Sequence, residues 1–340
     1  MDEKLTSVLA KTLDSKNYLL DAKTNSHQYL NGFLDVYNIY LNNFSKELNS
    51  WLTNKMMLNS NSFNEKQFIQ FACEASIVKF FAEKFPSNLF IEKQINPENK
   101  MDVDLVFTEK NYTFNIEIKC SDFIAKENTD SQNTLKIQPI GRFEDFPEQL
   151  KALQDLLKPV AERMNLDGIQ SGKVMDNNLK DFLLSANKKF NPEASSSELN
   201  ILSVSCDDAE DMQLWYYYMY KDQGLFKDDS FWKHSDYENV DLVLLNNLYF
   251  KHNKYSTKKL NNSWSFENSF NLIFINPFAK QKKEKAIQEF LKICPNYNNQ
   301  LLDWKMPGTV DEAVKDSRKI ANFIKAELEQ NKGIFLFEQP

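Results

Sequence analysis

This sequence predicts a mixed α/β fold: a central sheet flanked by helices, with a helical N-terminal region. Three observations carry that expectation. Apolar residues recur at helical spacing through residues 1–60, where Gly and Pro are nearly absent. Past Pro86 the pattern switches to short runs rich in Ile, Val and Phe, separated by polar punctuation. Beyond them, helical and strand-like segments alternate as in an α/β sandwich.

Taken in order, Tyr29, Phe33, Val36, Tyr37 and Tyr40, then Phe44, Leu48 and Leu52, mark the N-terminal helical region. A helix follows over 64–85, capped by Ser62 or Asn64, with Phe68, Phe71, Ala72, Ala75, Val78 and Phe81 as its apolar stripe. Pro86 stops it. Residues 89–95, 101–107 and 112–120 read as three successive strands. The polar stretch 122–147 reads as a loop or mobile segment. A helix over 147–164 carries Leu150, Leu153, Leu156, Leu157 and Val160. Residues 165–198, with their Gln-Ser-Gly-Lys and Ala-Ser-Ser-Ser stretches, read as an exposed insertion. Strands are expected at 200–206, 240–249 and 269–275, and helices at 209–220, 280–295 and 309–331. The organisation is then an N-terminal helical region (1–60), a core (61–278) and a C-terminal helical region (279–340), without an internal repeat.

Composition narrows the function. The 340 residues carry 48 acidic and 41 basic side chains, a net charge of −7, which excludes a globally basic polyanion-coating protein but not a local basic groove. Only 7 glycines occur, and neither the dinucleotide fingerprint nor the P-loop pattern is present. Cys73, Cys120, Cys206 and Cys294 lack any CxxC spacing, so neither a thiolate zinc site nor a disulfide scaffold is expected. His27, His234 and His252 are too scattered for HExxH chemistry. The chain start has no apolar signal-peptide core, and no apolar run approaches the roughly 20 residues of a membrane span. A cytoplasmic protein with no membrane partner is expected.

The chemistry is concentrated in 101–120, MDVDLVFTEKNYTFNIEIKC. If residues 109–112 form a hairpin loop, Thr108 pairs with Thr113 and Asp104 falls opposite Glu117. Directly opposed residues have Cβ atoms roughly 4.5–5.5 Å apart, and carboxylates that close repel unless a cation lies between them. Lys119 shares the face of Glu117, because positions i and i+2 of a strand point the same way. The opposite face holds Leu105, Phe107, Phe114, Ile116 and Ile118. Six places in the chain carry an acid two residues before a Lys. Only Glu117–Lys119 combines apolar alternate positions with a preceding strand that bears an Asp in matched register. That layout suits a magnesium-dependent phosphodiesterase: hard Mg²⁺ is held by one or two carboxylates plus waters, and a nearby Lys orients water and stabilises added negative charge.

Asp104 followed by Glu117-Ile118-Lys119 in a hydrophobic hairpin resembles the PD-(D/E)XK nuclease superfamily, the restriction-endonuclease-like fold. The likeness runs over residues 64–120. It implies that Asp104 and Glu117 are metal ligands, Lys119 is the catalytic lysine, and Glu74 on the preceding helix supplies a further acid, with Glu92 the second choice. The residue before Asp104 is Val103 where the motif has Pro, so either Asp102 or Asp104 is the ligand. The resemblance implies Mg²⁺, with Mn²⁺ as a substitute, and cleavage of nucleic acid, DNA before RNA. It also implies a place beside an ATPase or helicase partner, or in a homo-oligomer, as the effector of a bacterial antiviral defence system. Lys126, Lys136 and Arg142, just after the lysine strand, are candidate nucleic-acid contacts.

Other signals read as structural. Gln213 and Tyr217 form a Q-x-x-x-Y pattern far from Lys119, on a helix whose aromatics fit a buried core. The basic 280–292 segment reads as a solvated helix face. His234 and His252 lack the neighbours of a metal site or triad. The alternative to an enzyme is a catalytically inactive nuclease-like module that binds a partner protein or nucleic acid, an idea motivated by the acidic net charge.

Overall fold

The computed structural model of the chain describes residues 9–10, 15–44, 46–121, 132–137, 146–171, 175–221, 223–253, 255–258, 260, 262–306 and 312–330. Helices α1 (Tyr18–Asn25), α2 (His27–Asn43) and α3 (Lys46–Lys55) make up the N-terminal region. Helix α4 (Glu65–Lys84) starts where Asn64 accepts the Gln67 N–H, one of the two caps expected. Phe68, Phe71, Ala72, Ala75, Val78 and Phe81 are buried, as are residues outside that stripe such as Ile69, Ile77 and Phe80. Helix α4 therefore lies inside the core, between the N-terminal helices and the sheet.

Strands β1 (Leu89–Gln94), β2 (Asp102–Glu109) and β3 (Tyr112–Cys120) follow. The β2–β3 turn is tighter than expected: Lys110 and Asn111 alone connect Glu109 to Tyr112, with Lys110 at φ 55°. The register is nonetheless the anticipated one, with Thr108 on Thr113 and Leu105 on Ile116. Strands β6 (Glu198–Ser205), β7 (Leu242–Asn246) and β8 (Leu272–Ile275) complete a six-stranded sheet in the order β1-β2-β3-β6-β7-β8. β3, β6 and β7 run parallel, while the outer pairings are antiparallel. Strand β3 is thus an interior strand, covered on both faces.

One face of the hairpin joins the core beneath α4, where Phe107 stacks on Phe81 at 4.5 Å and on Phe114 at 4.8 Å between ring centres. In the same core His252 is fully buried between Tyr29 and Ser76. Because the Ser76 hydroxyl donates to the Ala72 carbonyl, it accepts from His252 Nε2–H, which leaves Nδ1 to accept from Tyr29. His252 is structural, as expected. A second core on the opposite face holds Leu202, Val204, Trp215 and Leu245. Trp215 and Tyr216 on α7 (Ala209–Tyr220) are buried there, in keeping with a core helix.

Four expectations change. The polar 122–147 stretch contains strand β4 (Leu135–Ile137), paired in parallel with β5 (Ile169–Ser171) in a separate two-stranded sheet after α5 (Phe146–Arg163). The 165–198 stretch is not an exposed insertion. It contains α6 (Met175–Lys189), whose Leu179, Leu183 and Ala186, with Phe190 just beyond, are fully buried at i, i+4, i+7 and i+11 in the second core. The 240–249 strand ends at Asn246, where the Asn246 side chain takes the Leu248 N–H and the chain turns into α8 (Leu248–His252). Lys283, at the start of α9 (Glu284–Ile293), is buried rather than solvated. Among the described residues no helix is long and apolar enough to cross a membrane.

Candidate active site

The β2–β3 ladder stops at Leu105–Ile116. One residue beyond, Asp104 Oδ2 accepts the Ile118 N–H at 2.6 Å, so a carboxylate takes the place of the next ladder bond. Asp104 therefore sits beside Glu117 at the carboxyl end of β3. Glu117 is fully buried although it lies on an interior strand. Lys119, two residues on, reaches Glu117 Oε1 at 2.6 Å, which bears out the shared face read from the alternation.

A buried carboxylate requires compensation, and part of it comes from a residue that the sequence reading passed over. Lys189, the last residue of α6, places its Nζ 2.7 Å from Glu117 Oε1 and 2.9 Å from Oε2. Its backbone is pinned nearby: the Asn96 side chain donates to the Lys188 and Phe190 carbonyls, and Asn99 also donates to Lys188. Burial opposes the Lys189 charge, yet Glu117, Asp104 and Glu74 outweigh it and hold the ammonium above its usual range. The Ala-Ser-Ser-Ser and Gly-containing flanks pointed to a loop. The apolar repeat from Leu179 to Phe190 is the signal that would have placed a packed helix, and Lys189 at its end, near the sheet.

Glu74 comes from α4. Burial, with Asp104 as the strongest like charge and Glu92 and Glu117 adding to it, pushes its carboxyl up to about 8 against the pull of Lys55. Burial and the Glu117 charge likewise push Asp104 up to about 7, although Lys189, the Ile118 N–H and Lys119 oppose the rise. Lys55, at the end of α3, lies 3.9 Å from Glu74 and 3.0 Å from Glu92, and over the Trp51 ring at 4.2 Å. It too was missed, although it falls one turn after Trp51. Glu92 holds a left-handed backbone, φ 47°, within β1.

The structure therefore brings together Asp104, Glu117, Lys119 and Glu74, with Glu92 tied in through Lys55. Asp102 is exposed at the start of β2, so of the two candidates it is Asp104 that lies in the cluster. Lys136 is exposed on β4, which pairs with β5 rather than with β3. Lys126 and Arg142 lie outside the described residues.

Among the described residues, no group of three His, Cys, Asp or Glu side chains stands ready as a metal cage. The donor set is two strand carboxylates with a third behind them. That matches a hard cation that keeps most of its waters, and does not match zinc or another nitrogen- or sulfur-seeking ion. Comparison with family models, curated proteins and solved structures yields no match.

Proposed function

We propose that this chain is a metal-dependent nuclease of the PD-(D/E)XK type, hydrolysing DNA phosphodiester bonds. The observation that carries the reading is the convergence of Asp104, Glu117 and Lys119, with Glu74 behind them, at the end of an interior strand whose other face is core. Like charges gathered in a buried place raise one another's proton affinity, and a divalent cation relieves that repulsion. Asp104 and Glu117 would hold Mg²⁺, or Mn²⁺ in its place. When bound, the ion supplies charge neutralisation at the attacked phosphate and a more acidic water.

The chain's own groups do the rest. Lys119 orients the attacking water and offsets the charge gained by the phosphate. Glu74 adds negative potential that favours the cation. With a net charge of −7 the protein has little general attraction for polyanions, so DNA grip is assigned to a partner ATPase or helicase, or to a homo-oligomer. An effector subunit of a cytoplasmic bacterial defence system fits that division of labour.

Purified protein with Mg²⁺ is expected to nick or degrade DNA, and Lys119→Ala to abolish this. Equal cleavage by the wild type and by the Glu117→Ala, Lys119→Ala double variant would overturn the reading. One observation favours a second reading, a non-catalytic nuclease-like module: Glu117 already has two ammonium partners. Thermal melting in a Mg²⁺ titration separates the two. A catalytic site gains melting temperature with metal, and an inactive one does not.

A further inference from the structure

Lys189 and Lys119 hold Glu117 in different ways. Lys119 meets one oxygen, while Lys189 lies across both, at 2.7 and 2.9 Å. A cation bound by both oxygens of this carboxylate would occupy the side that Lys189 now takes. The backbone on either side of Lys189 is fixed by Asn96 and Asn99, so the root of the side chain stays put. Its four methylenes leave the ammonium free to swing, and about a fifth of the side chain is already open to solvent (18% exposed).

We propose that Lys189 is the protein's resident cation on Glu117 and competes with the divalent ion for it. This rests on the nuclease reading and adds a mode of regulation to it. A divalent ion enters only as the ammonium leaves. The displaced ammonium loses its closest carboxylate, and beside Asp104 and Glu74 the substrate phosphate supplies a further anion to take it. Metal and DNA thus bind cooperatively: each one's presence removes part of the other's cost, by the same factor in both directions. Without DNA, Lys189 weakens the ion's hold on the site without excluding it. Lys189 is a positioning residue in this scheme, acting through Glu117 and not on the reacting atoms.

The test is calorimetric titration of the full chain with Mn²⁺, alone and with a short phosphorothioate duplex that resists cleavage. For the wild type, the duplex is expected to tighten Mn²⁺ binding about tenfold, the size of an ordinary coupling between sites. Lys189→Met is expected to bind Mn²⁺ alone about tenfold tighter than the wild type, with little further gain from the duplex. Lys119→Met, which removes the single-oxygen contact, is expected to keep the coupling. If Lys189→Met fails to fold, Lys189→Gln takes its place, since it keeps a donor to Glu117 without the charge. Wild-type binding of Mn²⁺ together with equal or weaker binding by the Lys189 variant overturns the competition and leaves the nuclease reading standing. Absence of Mn²⁺ binding by every variant, with or without duplex, overturns both.

Discussion

Two buried ionic sites stand toward different strand ends, one just before the entry to β7 and one in the carboxyl half of β3, and they differ in how their charges balance. At the entry end, Lys283 meets Asp241 at 2.9 Å, and both are nearly inaccessible. Asp241 Oδ2 also takes the Asn200 N–H at 2.7 Å, while the Asn200 side chain is held by Asn115 and Asn239. One charge meets one charge, and the adjoining hollow of about 10 Å³ has room for a single water at most. At the exit end, Glu74, Glu92, Asp104 and Glu117 outnumber Lys55, Lys119 and Lys189. The first arrangement is closed and balanced. The second crowds four carboxyl groups together in a place that partly meets solvent, an arrangement that raises their proton affinity and costs stability as they ionise.

The sharpest way to break this contrast is to remove one partner at each end. Lys283→Met strands Asp241 in the core and is expected to cost about 3–5 kcal/mol in urea unfolding. Glu74→Gln should act with the opposite sign. It removes a crowded carboxyl and is expected to stabilise the metal-free protein at pH 8 by roughly 1–2 kcal/mol while lowering cleavage. Loss of stability in that variant would place the two ends in the same class.

The pH dependence follows from the same crowding. Glu74 and Asp104 titrate at about 8 and about 7 in the folded chain, above the ordinary carboxylate range. Between roughly pH 4 and 8 the folded state therefore binds more protons than the unfolded one, and stability falls as pH rises through that window. Melting curves in metal-free buffer should show this decline, and Glu74→Gln should make it shallower. The smallest effect is expected at Asp102, exposed and apart from the cluster: Asp102→Asn should shift stability by no more than about 0.5 kcal/mol and leave cleavage essentially intact. A large loss of cleavage there would reassign the ligand to Asp102.

Local patterning made the hairpin legible. The alternation through Phe114, Ile116 and Ile118 set the buried face, and the turn position alone fixed Asp104 beside Glu117. The N-cap of α4 and the aromatic core helix α7 were equally visible, because caps and periodicity are properties of neighbouring residues. Lys189 and Lys55 were not. Each reaches the cluster from a distant helix, and a lysine's contacts depend on where its helix packs, which short-range pattern does not record. The Asp241–Lys283 pair escaped for the same reason. Lys283 stands in a run of lysines that reads as solvated, and only the tertiary fold buries it.

Seventy-two positions of chain separate Glu117 from Lys189. As the polypeptide leaves the ribosome, the β2–β3 ribbon emerges well before helix α6 is available to neutralise its acidic residue. The exit end of β3 should then lock later than the β2–β3 turn, since joining such remote segments carries an entropic penalty that local hairpin closure does not. A nascent chain halted ahead of α6 would carry an acidic, half-finished strand end, still without the ammonium that α6 (Met175–Lys189) brings to it.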